Sequence, residues 1–106
     1  MKHIFYIAII LISTFSLAQN KTLFDQGNSL YNEGKFQEAI TTYERILDSE
    51  NHSAELYFNI ANAYYKMNRI APSVYYYEKA LQLTPNDNDI KNNLSLDRKS
   101  TRLNSS

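Results

Sequence analysis

The 106-residue chain has no cysteine and no tryptophan, and only two glycines and two prolines. Without cysteine there is no disulfide framework and no thiolate metal site. So little glycine and proline is poor material for a turn-rich β protein. Histidine is nearly as scarce. His3 falls in an apolar leader and His52 stands alone in a turn, so neither a transition-metal site nor a Ser-His-Asp arrangement can be assembled. The acidic stretch around Asp87 and Asp89 lacks the glycine and the closing glutamate of a calcium loop, and helix capping accounts for it better. No catalytic, metal-ligating or cofactor-binding residue is expected. The sequons at Asn20, Asn51 and Asn93 are accidents of an asparagine-rich chain.

What the chain does have is unevenly spread. The formal charge is zero, with 11 Lys/Arg against 11 Asp/Glu. Residues 19–96 alone carry seven Lys/Arg against ten Asp/Glu, which leaves no basic stripe for nucleic acid. Residues 1–18 combine Lys2, an unbroken apolar run over 4–12 and the small-x-small triplet Ser16-Leu17-Ala18. This is the pattern of a secretory signal peptide cut between Ala18 and Gln19. The alternative is an uncleaved anchor, but the apolar stretch of about 15 residues falls short of the roughly 20 that span a bilayer. Export across the membrane is the expectation. At the other end, residues 97–106, "DRKSTRLNSS", have no apolar periodicity. They match one reading frame of a common sequencing adapter and are read as translated library DNA. The natural protein is expected to continue past Leu96.

Between these ends the chain repeats itself. A shift of 34 residues superposes Phe24 on Phe58, Asn28 on Asn62, Tyr31 on Tyr65, Tyr43 on Tyr77, Glu44 on Glu78 and Leu47 on Leu81. In the first helix of each copy, Leu23, Gly27 and Leu30 (then Tyr57, Ile60, Ala61 and Tyr64) recur at amphipathic spacing. Small Gly27 and Ala61 allow a close partner helix. Gly34 and Asn68 occupy the same place just past that helix, where a left-handed residue ends it. Pro72 sits in the first turn of a fourth helix, and Asn86 or Asp87 can cap a fifth. Helices are expected over 21–33, 36–49, 54–67, 70–83 and 87–96. In the run Tyr75-Tyr76-Tyr77, Tyr77 shares a stripe with Ser73, Ala80 and Leu81 and belongs to the core. Tyr76 is a flank residue and Tyr75 is surface.

The period and the pattern Tyr57-x2-Ile60-Ala61-x2-Tyr64, Ser73-x3-Tyr77, Pro85 resemble the tetratricopeptide repeat (TPR), a helix-turn-helix unit. The resemblance implies an all-α fold, with repeats over about 20–53 and 54–87 and a partial third from 88. These would form a short right-handed superhelix. Gln26, on a face that is normally apolar, points to a first repeat with one side open to solvent.

In TPR proteins the first helix of each pair lines a concave groove for a protein or peptide partner. That likeness places Phe24, Asn28, Tyr31, Phe58, Asn59, Asn62 and Tyr65 on the groove. Asn28 and Asn62 would either pair with a peptide backbone or make contacts between helices. Phe24 and Phe58 stand where chaperone-tail clamps carry lysine, which argues against a dicarboxylate clamp. Over residues 1–96, the leader, "LFDQGNSLYNEGKFQEAI" and "IAPSVYYYEKALQLTPND" resemble the N-terminus of BatE-type proteins. These belong to the Bat aerotolerance group of Bacteroidetes-type bacteria. The resemblance implies a non-catalytic adaptor in the periplasm or cell envelope of a Gram-negative bacterium, beside membrane-bound von Willebrand A-domain proteins and held to the membrane by the leader or by a missing C-terminal part. The rivals are a generic exported TPR protein and the N-terminal TPR portion of an exported enzyme or other envelope protein whose catalytic or membrane part lies beyond residue 96.

Overall fold

The computed structural model describes residues 18–104, and the described chain is helical throughout. Helix α1 covers 18–32. It is followed by α2 (Phe36–Asp48), α3 (Ala54–Lys66), α4 (Ile70–Leu83) and α5 (Asn88–Asn104). The predicted leader, apart from Ala18, lies outside the described residues. Among those residues no helix is long and apolar enough to cross a membrane. Two helical hairpins, α1–α2 and α3–α4, stack in order, and α5 opens a third unit.

The turns follow from single residues. Gly34 takes φ +80° and Asn68 φ +59°, the left-handed region that favours glycine and is tolerated by asparagine. At the first turn the Gly34 and Lys35 N–H groups donate to the carbonyls of Tyr31 and Leu30. At the second, Asn68 and Arg69 do the same to Tyr65 and Tyr64. Both are Schellman closures, which satisfy carbonyls that the helix end would otherwise strand. Ser53 caps α3, its Oγ accepting from the Leu56 N–H at 3.1 Å. The Asp87 carboxylate accepts from the Ile90 N–H at 3.1 Å and caps α5.

Two apolar clusters hold the stack. One gathers Ala39, Ile40, Tyr43 and Ile46 of α2 with Leu56, Ile60 and Ala63 of α3. The other joins Tyr57 and Ala61 of α3 to Tyr77 and Ala80 of α4 and to Ile90 and Leu94 of α5. Helix α3 therefore serves both clusters, with Leu56 and Tyr57 turned about 100° apart. Close approach is built from small residues. A Cβ on Gly27 would lie 2.4 Å from the Tyr43 ring. Fully buried Ser73 donates its hydroxyl to the Ala61 carbonyl at 3.0 Å.

The tyrosine run divides as expected. Tyr77 is 1% exposed and Tyr75 53% exposed. Half-buried Tyr76 stacks on Tyr64 with ring centroids 5.8 Å apart. Exposed Gln26 lies with Thr22, Leu23 and Arg45 around an open cavity between α1 and α2. One boundary differs. The last helix was expected to end at 96 and instead runs to Asn104. Neither glycine nor proline interrupts 97–104. Arg98 also pairs with Glu78 of α4 at 2.9 Å, both side chains being exposed.

Candidate functional site

The inner faces of α1, α3 and α5 lie side by side, and a strip of carboxamides and phenols runs across them. The Tyr43 hydroxyl donates to Asn28 Oδ1 at 2.5 Å, and Asn59 Nδ2 donates to the same oxygen at 3.2 Å. One repeat later the Tyr77 hydroxyl donates to Asn62 Oδ1, which also accepts from Asn93 Nδ2 at 3.3 Å. Each motif ties three helices together: α1, α2 and α3, then α3, α4 and α5. An aromatic ring braces each tyrosine, with Phe24 centred 6.0 Å from Tyr43 and Phe58 centred 5.8 Å from Tyr77.

These contacts divide the expected groove residues. Asn28, Tyr31, Asn59, Asn62 and Tyr65 come together along two adjoining cavities that share Tyr31 and Asn62. Half-buried Phe24 and Phe58 line neither. Their rings instead support the tyrosines that orient the asparagines. Of the two roles open to Asn28 and Asn62, Oδ1 serves the contact between helices. Nδ2 of each has no hydrogen-bond acceptor among the described residues, which leaves a donor on residues that line the cavities.

Asn93, Tyr43 and Tyr77 complete the strip, and Asn32, Glu55, Lys66 and Leu96 join its walls. Asn93 carried a readable signal, because it stands 34 residues after Asn59. The tyrosines match across the copies, but nothing in their spacing shows that their hydroxyls reach the asparagines.

Burial pushes the Tyr43 phenol up to about 12, with Tyr31 and Glu55 adding to the rise and the Asn59 carboxamide opposing it. Burial also raises Tyr31. Both therefore stay neutral hydrogen-bonding groups at physiological pH. Among the described residues no His, Cys, Asp and Glu cluster could hold a metal ion. Along its middle the strip presents neutral donors and acceptors, with Glu55 and Lys66 in its walls.

Residues 24–88 match the tetratricopeptide repeat family. The chain belongs to that family. The matched segment runs from within α1 to the start of α5, and so contains Asn28, Asn59 and Asn62 with Tyr43 and Tyr77, but not Asn93. Among solved structures, this TPR chain is similar to the first TPR of Spaghetti (RPAP3) bound to HSP90 peptide SRMEEVD. That likeness has 20% identity and a TM-score of 0.48, covering 80% of this chain and 94% of that one. No curated protein matches the chain. As a TPR unit it is of a type that serves protein–protein interaction.

Proposed function

We propose that the chain is an exported, non-catalytic adaptor of a Bat aerotolerance-type envelope complex, whose concave face holds an extended segment of a partner protein. The carrying observation is the pair of Nδ2 donors on Asn28 and Asn62, one repeat apart, with Oδ1 of each held by a tyrosine and a neighbouring asparagine. A carboxamide fixed through its oxygen offers its nitrogen in a set direction, and a pre-oriented donor binds without first losing rotamer freedom. An extended segment has free backbone carbonyls for such donors, whereas a helical one has spent its own. Export and the von Willebrand A-domain partner rest on the leader and on the likeness to BatE-type proteins over 1–96.

Asn28→Asp with Asn62→Asp tests the groove. Aspartate keeps an oxygen for the tyrosine and asparagine donors but puts an acceptor where Nδ2 was. Helicity should persist, while capture of a purified von Willebrand A-domain protein from the source bacterium falls tenfold or more. A tenfold loss corresponds to about 1.4 kcal/mol. Undiminished capture by a folded double variant rejects the reading. For export, mass spectrometry of the periplasmic fraction should find a chain beginning at Gln19. Retention of residues 1–18 in the membrane would mean an anchor. Source DNA read across the Leu96 codon separates this adaptor from one rival, an exported enzyme with an N-terminal TPR portion.

A further inference from the structure

Helix α3 carries the middle of the strip, and its two ends carry opposite charges. Glu55, Asn59, Asn62 and Lys66 recur at the spacing of a single helical face. Glu55 and Lys66 are 11 positions apart. On a helix that is three turns to within about 20°, and a rise of about 1.5 Å per residue sets their Cα atoms about 16 Å apart. Glu55 walls one cavity with Asn28 and Asn59, and Lys66 walls the adjoining one with Asn62 and Tyr65. Both charged side chains are exposed, and neither forms an ion pair among the described residues. The charge of Glu55 is felt inside the strip. Burial is the main cause of the raised Tyr43 phenol, and Glu55 adds to it.

An acid in the first turn and a base in the last turn also complement the dipole of α3. The dipole asks for those charges on any face, however, and here both share the stripe of the two asparagines. Nor does the repeat impose the pattern. The 34-residue shift puts Lys21 of α1 and Asp89 of α5 at the place of Glu55, and Asn32 at the place of Lys66. Neither Lys21 nor Asp89 walls these two cavities. The strip is therefore two-ended: acidic where α3 begins, neutral through Asn59 and Asn62, and basic where α3 ends. A doubly acidic or doubly basic occupant would be attracted at one end and repelled at the other. The ends are too far apart for one side chain to answer both.

Resting on the groove reading above, we propose that the partner segment is dipolar and lies along α3, with a basic residue meeting Glu55 and a separate acidic residue meeting Lys66.

Capped, fluorescein-labelled peptides test this by anisotropy with the full chain at low salt. Each has one charged residue at either end of a neutral alanine–serine stretch, made in several lengths. Arginine and glutamate fill the ends in all four combinations, and an uncharged peptide has glutamine at both. One of the two mixed peptides should bind about fivefold tighter than either like-charged one, the upper range for an exposed ion pair. The advantage should shrink as salt rises. Glu55→Lys should move the preference to the doubly acidic peptide, and Lys66→Glu should move it to the doubly basic one. Circular dichroism checks that each variant folds. The milder Glu55→Gln and Lys66→Gln should each erase the discrimination at one end only. A like-charged peptide that binds the unaltered chain tightest overturns the proposal, and so does a mixed preference that survives all four substitutions. Equal binding by all peptides overturns it too. In that case, weaker binding of the uncharged peptide to the Asn28→Asp/Asn62→Asp variant leaves the groove standing, and undiminished binding overturns both. Absence of binding by every peptide overturns the charge assignment.

Discussion

Asn28 and Asn62 each do two jobs with one carboxamide, and the tyrosines make this workable. Tyr43 can reach Asn28 only because Gly27 has no side chain to keep its ring away. We expect Gly27→Ala to destabilise the fold by about 1–3 kcal/mol, as overpacking of a filled core does. Any helix propensity gained from alanine is smaller than that. Urea unfolding followed by circular dichroism measures the change, and an unchanged midpoint would show that Tyr43 can retreat. The identities of Asn28 and Asn62 were plain in the 34-residue shift. Their partners were not, because Tyr43 lies 15 residues from Asn28 and Asn59 lies 31 away. Amphipathic spacing tells which way a side chain faces, but not which neighbour's hydroxyl it meets. Phe24 and Phe58 show the same limit. They lie on the expected face, yet their rings turn sideways onto the tyrosines.

The helices stop where single residues make them stop. Asn68 ends α3 in a left-handed conformation that costs most residues roughly 1–2 kcal/mol. Asn68→Ala should therefore lower stability by about 1 kcal/mol, and Asn68→Gly should be neutral or slightly stabilising. Thermal melts of both variants compare directly, and an alanine variant as stable as the glycine one would contradict the account. This signal was legible because Gly34 occupies the matching place in the first copy. The turn after α2 gave no such hint. Glu50 adopts φ +63° there, and nothing about glutamate announces that. The end of α5 was misjudged for a related reason. Absence of apolar periodicity in 97–104 removes a reason to pack, but not the capacity to continue a helix already begun.

Across the whole stack, stability is shared between neighbours. Helix α3 contributes buried residues to both apolar clusters, whereas among the described residues α5 contributes them to one and α1 adds only partly buried side chains to the other. In such arrays the ends open before the middle. Amide hydrogen exchange should therefore protect α3 and the facing parts of α2 and α4 longest, with α1 and the last turns of α5 exchanging first. Uniform protection from α1 to α5 would mean a single cooperative unit. The same arrangement has a consequence for how the chain can change length. The bond from Asn59 to Asn28 and the bond from Asn93 to Asn62 are the same joint made twice. Excising residues 54–87 would splice Asn93 into the seat of Asn59, with Ile90 and Leu94 replacing Leu56 and Ile60 in the core. The units are interchangeable parts with matching couplings. A gene that duplicates or drops one lengthens or shortens the binding strip without having to redesign a junction.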